Sequence, residues 1–516
     1  MTQAEAAVRE RLAALDVGSN SIRLLVAEWD PQGGLAVIDE VREHPRLAAG
    51  VAANGRLAPE AMEAAIAALR RMHEVCQRRG ARRIAAVATS AVREAENGAE
   101  FVHPVQAELG IPLRIIDGQT EAQLSYKSVA HHFRLQGERT LIVDIGGGSL
   151  ELIGAVDGVI ELSLSLPLGA VRLTEASLPG ERAAWKEVQD LRRAVRKKLR
   201  KAFDPAGWNA AAVIGSGGTF TNLGRMAIAR RGLPIPDAVH GTAVVTGEVE
   251  ALLEWLTTKS PAERAGVPGL SPYRADIILA GLAVTAELLA LVNARKVTVS
   301  AFGIREGLLL EMAGAGDAAE PQDPLRLIRE FAERCQTDRR HVEQVRVLAL
   351  QLLDQLGPAL GAEPDDRALL EAAGLLHDVG QLVSYRRHHR HSYQLIMNAE
   401  RLNLSARDRV IVALVSRYHR KRGPTRKHPE FANLPDEDQA VVRRLAALLR
   451  VADGLDRGHT AIVERIQAEL AEDRCTLRVA PRYVDADLSL EVWGADRKKD
   501  VLEKALRREV VILQGG

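Results

Sequence analysis

The residues best suited to chemistry surround one glycine-rich stretch, Leu141–Leu152, which reads LIVDIGGGSLEL. An apolar run ends at Asp144, three consecutive glycines follow, and Glu151 stands just beyond them. Because glycines lack side chains, their backbone amides can approach a bulky anion such as a phosphate group. Mg²⁺ prefers carboxylate oxygens together with the phosphate oxygens of a substrate. The stretch therefore predicts a phosphate-binding loop, with Asp144 and Glu151 as candidate ligands of Mg²⁺.

Each of these features also has a simpler interpretation. Glycines are common in tight turns, Asp144 would cap the amides of the loop, and Glu151 would be a solvated strand residue. The two acids are seven positions apart in the sequence and would face opposite ways on straight strands. The functional interpretation therefore requires the loop between them to turn both side chains toward one site.

A related loop near the N-terminus indicates an internal duplication. Asp16–Ser21 (DVGSNS) aligns with Asp144–Ser149 (DIGGGS) in its aspartate, its first glycine and its last serine. A third glycine loop, Gly215–Thr219, follows another predicted strand. The chain has no Gly-Lys pair and hence no Walker A loop, and no GxGxxG segment that opens a helix, which disfavours a dinucleotide-binding fold. We expect two related α/β halves, each presenting a phosphate-sized loop.

Glu121 is the candidate general base. It stands at the start of a predicted helix, directly after the Asp117–Gly118 turn, from which it can point into the cleft between the halves. A carboxylate there could take a proton from a water that attacks phosphorus, and an elevated pKa would suit that role. In the alternative interpretation Thr120 and Gln123 form a capping box, and Glu121 only stabilises the helix. Arg93 follows a strand and could hold a phosphate oxygen, although an ordinary surface arginine is commoner.

Periodicity and turn signals predict the elements that position these residues. The predicted strands are Leu12–Asp16, Ser21–Trp29, Leu35–Glu40, Arg83–Ala88, Leu113–Ile116, Thr140–Asp144, Ser149–Ala155, Val159–Leu164, Ala211–Ile214 and Lys296–Ser300. The predicted helices are Pro59–Arg79, Asn97–Leu109 (which Pro104 should kink or break), Thr120–His131, a helix from Phe220, Glu248–Lys259, Ala275–Val292 and Arg305–Ala313.

The C-terminal part of the chain has a different pattern. An alanine-, glycine- and proline-rich stretch from Ala313 to Pro324 predicts a linker. The region after it is almost purely helical to Asp453. The last stretch is mixed, with strands predicted near Thr476–Val479 and Leu488–Val492 and a helix over Lys499–Arg508.

Composition narrows the class of protein. The 516 residues are enough for three or four domains, and a net charge of +1 provides no overall field for binding nucleic acid or a membrane. The three cysteines, Cys76, Cys335 and Cys475, lie far apart, which fits a reducing compartment. The N-terminus lacks the apolar segment of a signal peptide. The apolar run Ile277–Val292 is too short to span a membrane comfortably and contains Glu287, so it predicts a buried helix. We expect a cytoplasmic protein without a membrane partner.

Eight segments, in order along the first 312 residues, resemble the exopolyphosphatase and guanosine pentaphosphate phosphohydrolase family. They are ALDVGSNSIRLLVAE, ATSAVREAENG, DGQTEAQLSYKSV, IVDIGGGSLEL, LSLPLGAVRLTE, IGSGGT, RADIILAGL and FGIREGLLLE. The helical part is similar to the long form of that family through LLHDVG, YRRHHRHSYQLI, ALVSRYHRK and LLRVADGLDR.

The resemblance implies a fold. It implies two actin-like or sugar-kinase-like α/β domains of the ribonuclease H-like type, at residues 1–135 and 136–312, with the substrate between them. It also implies an all-α HD-type domain at residues 325–460 and a small α+β region at residues 461–516.

The resemblance further implies roles for individual residues. Glu121 would activate water, and Asp144 and Glu151 would be catalytic acids that work with Mg²⁺. The residues that would hold phosphates are Ser19, Asn20, Arg23, Arg93, Gly146, Gly147, Gly148, Ser149, Gly217, Gly218 and Thr219. This chain departs from the family pattern at three positions, where a glutamate or a threonine is usual: Thr120, Leu150 and Ser216.

The helical region contains a second set of candidate metal ligands, His341, His377, Asp378 and Asp453. Their order resembles that of HD-domain phosphohydrolases, in which such residues bind a divalent metal, so a second metal is expected here. Imidazole and carboxylate ligands suit several transition metals. The alternative is a set of buried polar residues inside a helical bundle. Four further histidines could complete the site or belong to a basic face: His388, His389, His391 and His419.

The same region contains clustered basic residues, Arg386, Arg387, Arg390, Arg420, Lys421 and Arg422. Such a run is usually a solvated face. Two clusters in one domain of a nearly neutral chain would also form a track for a polyanion such as linear polyphosphate, bound in a salt-dependent way. Nucleic acid is the rival ligand, but aromatic residues make up only 3% of the chain and do not interleave with the charges, which argues against base stacking.

The leading hypothesis is a Mg²⁺-dependent exopolyphosphatase that removes the terminal phosphate of inorganic polyphosphate. The same cleft would also serve a guanosine pentaphosphate 5′-phosphohydrolase, and the motifs do not separate the two. A third hypothesis is a regulator that binds polyphosphate or guanosine polyphosphates with little turnover, supported only by Thr120. A sugar-kinase-like phosphotransferase would need an adenosine site, for which the sequence gives no strong signal. The family resemblance also implies a homodimer.

Overall fold

The computed structural model describes residues 10–515 apart from residues 31–33, 134, 136, 138, 179, 181, 210, 236–238, 315–324, 400, 401, 403 and 485. The chain forms two compact units. The first consists of Met1–Arg231 with Val239–Gln322, and the second of Gly232–Ala238 with Asp323–Gly516.

The first unit contains two sheets. Its strands are β1 (Glu10–Val17), β2 (Ile22–Asp30), β3 (Gly34–Glu43), β4 (Arg83–Ala88), β5 (Leu113–Ile115), β6 (Arg139–Ile145), β7 (Leu150–Val156), β8 (Val159–Leu166), β9 (Ala212–Ser216), β10 (Ala243–Val245) and β11 (Lys296–Val299). One sheet has the order β3-β2-β1-β4-β5, and the other has the order β10-β11-β9-β6-β7-β8.

The two sheets repeat one topology, which supports the predicted duplication. Each sheet contains an antiparallel meander of three consecutive strands. The first strand of each meander also pairs with a parallel strand on its other side: β1 with β4, and β6 with β9. The repeat extends to the register of the first hairpin. Asp16 lies opposite Arg23, and Asp144 lies opposite Glu151. Directly opposed residues of an antiparallel pair point to the same face, so the hairpin places both Asp144 and Glu151 on one side of its sheet.

Helices cover the sheets of the first unit. They are α1 (Val51–Asn54), α2 (Pro59–Arg78), α3 (Ser90–Glu94), α4 (Gly98–Leu109), α5 (Gly118–His132), α6 (Ala170–Ser177), α7 (Trp185–Ala202), α8 (Gly217–Arg230), α9 (Thr246–Thr257), α10 (Pro261–Ala265), α11 (Ile278–Leu291) and α12 (Ile304–Met312). The sheets and helices bury continuous apolar cores, in which strand residues such as Leu15, Leu24, Ile142 and Ile153 are fully enclosed.

Helix α11 confirms the buried helix expected at the most apolar stretch. Its one acid, Glu287, is fully buried and forms ion pairs of 2.6 Å with Arg192 and with Arg196. Over the described ranges, we find no helix that combines the length and the apolar character needed to cross a bilayer.

Two local predictions for the first unit are corrected. Helix α8 begins at Gly217, three residues before the predicted start, because the glycines form its first turn despite their low helix propensity. Helix α4 continues through Pro104, so the expected break does not occur. The predicted linker, Ala313 to Pro324, lies outside the described residues from position 315 onward.

The second unit is mainly helical, with a small sheet. Its helices are α13 (Arg326–Arg334), α14 (Arg339–Leu360), α15 (Asp366–Leu376), α16 (His388–Asn398), α17 (Ala406–Tyr418), α18 (Pro429–Ala432), α19 (Asp436–Gly454), α20 (Ser489–Asp496) and α21 (Asp500–Leu506). Strands β12 (Val463–Leu470), β13 (Arg474–Pro481) and β14 (Glu509–Gln514) form a sheet in that order.

The predicted strand at Leu488–Val492 is wrong. All of this segment except Leu488 lies in helix α20. Leu488, just before the helix, and Val492 and Ala495 within it pack into the core at helical spacing, while Leu490 is exposed. The alternation of apolar and polar residues in this segment therefore does not reflect a strand, because packing against the core determines its structure. Strand β12 was not predicted, since a register shift between Val463 and Arg465 interrupts its alternation.

Candidate active site

The two duplicated loops of the first unit form the same turn. Gly18 N–H donates to Ser21 O at 3.1 Å, and Gly146 N–H donates to Ser149 O at 3.0 Å. Each turn lies between the first two strands of its meander, where the sequence alignment places it. The predicted phosphate loops are thus equivalent structures in the two halves.

The two loops lie directly against each other. A Cβ atom at Gly147 would lie 2.7 Å from Ser19 Cβ, and one at Gly148 would lie 3.0 Å from Ser19 Oγ. These glycines are therefore needed for loop-to-loop contact as well as for presenting amides. The side chains of Ser19, Asn20 and Ser149 are buried at this contact, and Asn20 Nδ2 has no hydrogen-bond partner among the described atoms.

Asp144 and Glu151 are both buried beside the loops, so the interpretation of Glu151 as a solvated strand residue is wrong. The hydroxyls of Ser125 and Ser216 lie 3.3 and 3.2 Å from Asp144 Oδ2. Burial raises the pKa of Asp144 even though these hydroxyls favour the ionised form. Burial, together with the neighbouring Glu121 and Asp144, raises the pKa of Glu151 well above its ordinary value.

Asp16 belongs to the same cluster of acids, and sequence reasoning did not assign it to the site. Burial raises its pKa, with a further contribution from Asp144, although Arg23 and Arg305 oppose the change. Its Oδ1 atom is buried and has no hydrogen-bond partner among the described residues. The duplication was the signal available, because it aligns Asp16 with Asp144.

Glu121 lies in the first turn of helix α5 and is buried. Burial raises its pKa to about 7, with contributions from Asp16 and Asp144, although Arg93 acts in the opposite direction. Asp117 caps the helix by accepting from Thr120 N–H at 2.8 Å. The predicted capping box at Thr120 is therefore wrong, and Glu121 is not required as part of a cap.

Arg93 lies beside Glu121 and not on the surface. Its Nη1 donates to Glu121 Oε2 at 2.9 Å and to Ile116 O at 2.9 Å. Arg93 is therefore positioned to orient Glu121, and its predicted contact with a phosphate stays a prediction.

The third glycine loop forms the start of helix α8. Gly217 has φ +85°, a conformation that favours glycine, and a Cβ at Gly218 would overlap the guanidinium of Arg274. A Cβ at Gly281 would lie 2.8 Å from Thr219 Oγ1, so the Thr219 side chain packs toward helix α11. The backbone amides of this loop are therefore its best candidates for contact with a phosphate.

A cluster of arginines adjoins the acids, and most of it was missed by sequence reasoning. Arg23 and Arg42 lie directly opposite each other on strands β2 and β3. The charge of Arg23, followed by burial, lowers the pKa of Arg42 to about 10. Burial and the charges of Arg23 and Arg42 lower the pKa of Arg274 to about 9. Like charges directly opposite on a hairpin are destabilising, so this arrangement favours a bound polyanion. Strand β3 was predicted to end at Glu40, which left Arg42 outside the hairpin.

The pKa of Glu121 leads to a pH prediction. A general base works in its ionised form, and the pKa of Glu121 is about 7. We therefore expect kcat/KM for phosphate release to reach a plateau above neutral pH and to fall about tenfold per pH unit below it. Initial rates at subsaturating substrate, measured from about pH 5 to about pH 9, test this. A rate that does not change across the acidic half of that range would contradict the role of Glu121.

The predicted metal ligands of the second unit lie together. His341 Nε2 is 3.6 Å from Asp453 Oδ1 and 3.4 Å from His377 Nε2, and His377 Nε2 is 3.7 Å from Asp378 Oδ2. Asp378 Oδ2 also lies 3.8 Å from His341 Nε2, so His341 Nε2 has atoms of all three other candidate ligands beside it. Asp453 also forms an ion pair with Lys498.

The predicted basic track lines a pocket of about 900 Å³ in the second unit, which we call the basic pocket. Its walls are formed by Ser384, Arg386, Arg387, His389, Arg390, His391, Arg417, Tyr418, Arg420, Lys421, Arg422 and His428. Contrary to the expectation from the sequence, aromatic residues do lie among these charges. Arg420 lies over the ring of Tyr385 at 5.4 Å, and Arg417 lies over the rings of Tyr393 and Tyr418.

Two sheets of one topology with facing phosphate-sized loops define the actin-like and sugar-kinase-like class of α/β fold, here with a cluster of acids beside the loops. The chain belongs to the Ppx/GppA phosphatase family, whose sequence model matches residues 25–315. A second model, for domain III of Ppx/GppA phosphatases, matches residues 325–496.

Individual relatives agree with this assignment. A guanosine-5′-triphosphate,3′-diphosphate pyrophosphatase of Aeromonas hydrophila is 29% identical over 489 residues, which are 92% of this chain and 93% of the relative. The crystal structure of an Aquifex aeolicus member of the family matches 60% of this chain and 100% of its own, with 28% identity and a TM-score of 0.52. An exopolyphosphatase from Cytophaga hutchinsonii shares the fold, with 24% identity, a TM-score of 0.56, and coverage of 60% of this chain and 100% of its own.

Proposed function

We propose that the first unit hydrolyses the terminal phosphoanhydride bond of inorganic polyphosphate with the aid of Mg²⁺. The observation that carries this proposal is the opposed pair Arg23 and Arg42 beside the acid cluster. A chain of phosphates whose end lies at the acids would place its next phosphates at these guanidiniums. Phosphoryl transfer asks mainly for such positioning and charge stabilisation.

The acids fit a divalent cation. Burial raises the pKa values of Asp16, Asp144 and Glu151, so a cation beside them would stabilise their ionised forms. Asp16 Oδ1 has no hydrogen-bond partner among the described residues. These three carboxylates would hold Mg²⁺, which prefers oxygen ligands and supplies charge neutralisation at the phosphate oxygens.

The remaining steps belong to side chains and amides of this chain. Ser19, Asn20 and the amides of the facing loop would bind the terminal phosphate. Glu121 would take a proton from water, and Arg93 would hold the Glu121 carboxylate in place. The water oxygen forms a bond to the terminal phosphorus, the bridging P–O bond breaks, and the shortened chain leaves with its electron pair on the bridging oxygen.

Guanosine pentaphosphate is the second candidate substrate. The Aeromonas relative is named for a guanosine substrate of this kind. The structure adds an aromatic surface at the arginine cluster, where Tyr273 stacks on His44 at 4.2 Å while remaining 58% exposed. An exposed tyrosine ring can stack on a base.

A paired turnover assay, with and without Mg²⁺, tests the proposal. We expect orthophosphate release from polyphosphate to exceed release from guanosine pentaphosphate by about tenfold in kcat/KM, and both to require Mg²⁺. Tyr273→Ala should lower turnover of the nucleotide by about tenfold and leave polyphosphate turnover unchanged. Tyr483→Ala, which removes a similarly exposed tyrosine from the second unit, is the matched control. Faster turnover of guanosine pentaphosphate than of polyphosphate would identify the nucleotide as the substrate. Absence of orthophosphate release from both compounds would overturn the proposal.

A further inference from the structure

The two carboxylate oxygens of Asp144 have different surroundings. Oδ2 lies 3.3 Å from Ser125 Oγ and 3.2 Å from Ser216 Oγ. A Cβ atom at Gly217 would overlap Oδ1, so that oxygen faces the backbone of the third glycine loop. Both hydroxyls therefore contact one oxygen of Asp144, and the other oxygen lies on the side of a candidate phosphate loop.

Ser125 differs from other buried hydroxyls inside the helices of this chain. Serine and threonine within a helix commonly donate to the carbonyl four residues earlier. Three threonines of the first unit do so at 2.7–2.9 Å: Thr174, Thr257 and Thr285. Ser125 is fully buried in helix α5, and its hydroxyl instead contacts Asp144 on strand β6. Ser125 also lies four residues after Glu121, and residues with this spacing share one face of a helix. The helix face that carries the candidate base thus also supplies a hydroxyl to Asp144.

Ser216 contacts Asp144 from the neighbouring strand. The two residues are partners in the parallel pairing of strands β6 and β9. Ser216 Oγ also lies 3.1 Å from Phe302 O, but that carbonyl already accepts from Ser300 Oγ at 2.9 Å. A hydroxyl has one proton to donate, and a hydrogen bond to an ionised carboxylate is about twice as strong as one to a neutral acceptor. The proton of Ser216 is therefore best placed on Asp144.

We propose that Ser125 and Ser216 are positioning residues that hold Asp144 Oδ2 and thereby leave Oδ1 to contact the divalent cation of the active site. This inference rests on the proposed function, which places the cation at Asp144. The terminal torsion of an aspartate has a broad range, so a carboxylate without these two bonds can turn away from the cation. Hydrogen bonds to the ligands of a metal orient them before the cation binds and raise its affinity.

Helix α5 provides a matched control. Ser128 is as fully buried as Ser125 and lies three residues further along the same helix. Its hydroxyl has no hydrogen-bond partner within the part of the chain that the structure describes. Ser128→Ala therefore removes the same atom from the same helix without removing a bond to Asp144.

Calorimetric titration of the full chain with MgCl₂, in the absence of substrate, tests the proposal. We expect Ser125→Ala and Ser216→Ala each to weaken Mg²⁺ binding by about tenfold, the usual effect of losing a group that orients a metal ligand. Ser128→Ala should bind Mg²⁺ as the wild type does. Ser216→Thr keeps the hydroxyl and should retain wild-type affinity. Asp144→Asn identifies the binding heat that belongs to this site.

The outcomes separate a positioning role from a packing role. Wild-type affinity in both alanine variants would overturn the proposal, and so would an equal loss in Ser128→Ala. A loss in Ser216→Thr as large as in Ser216→Ala would overturn the role of the Ser216 hydroxyl. Thermal unfolding in Mg²⁺-free buffer shows which variants remain folded, and the two serines, on different elements, provide independent tests.

Failure of this inference can be distinguished from failure of the proposed reaction. The titration measures Mg²⁺ binding alone, whereas the paired turnover assay measures orthophosphate release. Serine-dependent Mg²⁺ binding without hydrolysis of either substrate would overturn the reaction and support the positioning role. Mg²⁺-dependent hydrolysis with wild-type Mg²⁺ affinity in both alanine variants would support the reaction and overturn the positioning role.

Discussion

Glu121→Gln is expected to lower kcat for orthophosphate release by about 10²–10⁴-fold, the usual contribution of a general base, with little change in KM. The amide keeps the size of the side chain and its contact with Arg93, but it cannot accept the proton of the attacking water. Burial raises the pKa of Glu121 to about 7, and a general base is most effective when its pKa lies near the working pH. Initial rates with saturating polyphosphate and Mg²⁺ measure the loss.

The control is Glu96→Gln, which changes a 72% exposed glutamate in the same unit. It should retain wild-type kinetics. The catalytic variant should also unfold at a temperature no lower than the wild type above neutral pH. When the pKa of a carboxyl is raised in the folded state, the folded protein loses stability as the pH rises from the unfolded-state pKa through the folded-state pKa. The amide of the variant does not ionise and causes no such loss. Activity of Glu121→Gln within about twofold of the wild type would remove Glu121 from the mechanism.

Asp144→Asn is expected to have the second largest effect. Its carboxylate lies opposite Glu151 and near Asp16, so its loss should weaken Mg²⁺ binding by about 10–100-fold or more and lower turnover at ordinary Mg²⁺ concentrations at least as much. Burial raises the pKa of Asp144, so the charged form destabilises the folded state as pH rises. We therefore expect the variant to be more stable than the wild type at alkaline pH, by about 2–4 °C for each kcal/mol gained.

A Mg²⁺ titration of the rate and a thermal melt measure these two opposite changes. Asp190→Asn, which alters an exposed acid on helix α7, should change neither quantity. Recovery of the full wild-type rate at high Mg²⁺ would show that Asp144 acts only through affinity for the cation. An unchanged Mg²⁺ dependence would contradict its assignment as a ligand.

The features that could be predicted from the sequence are those with a local signal. The glycine loops, the hairpin that joins Asp144 to Glu151, and the repeated loop at Asp16 all follow from short motifs and turn chemistry. Together with the family resemblance, they also gave the class of fold. The buried apolar helix α11 followed from its composition alone.

The features that could not be predicted depend on register and on packing between distant segments. Arg42 becomes opposed to Arg23 only when strand β3 extends past Glu40. Arg274 reaches the site through its contact with Gly218, over fifty residues earlier in the chain. The helix at Leu488 forms because its apolar residues pack at helical spacing, which no local pattern indicated.

The most direct test of the central claim is the position of a bound polyphosphate. A crystal structure of Glu121→Gln with Mg²⁺ and a short polyphosphate should show the chain end between the loops at Ser19 and Gly147. Mg²⁺ should lie at Asp144 and its neighbouring acids, and the following phosphates should lie at Arg23 and Arg42. Polyphosphate that occupies only the basic pocket of the second unit, with the loops of the first unit empty under the same conditions, would contradict the assignment of the active site.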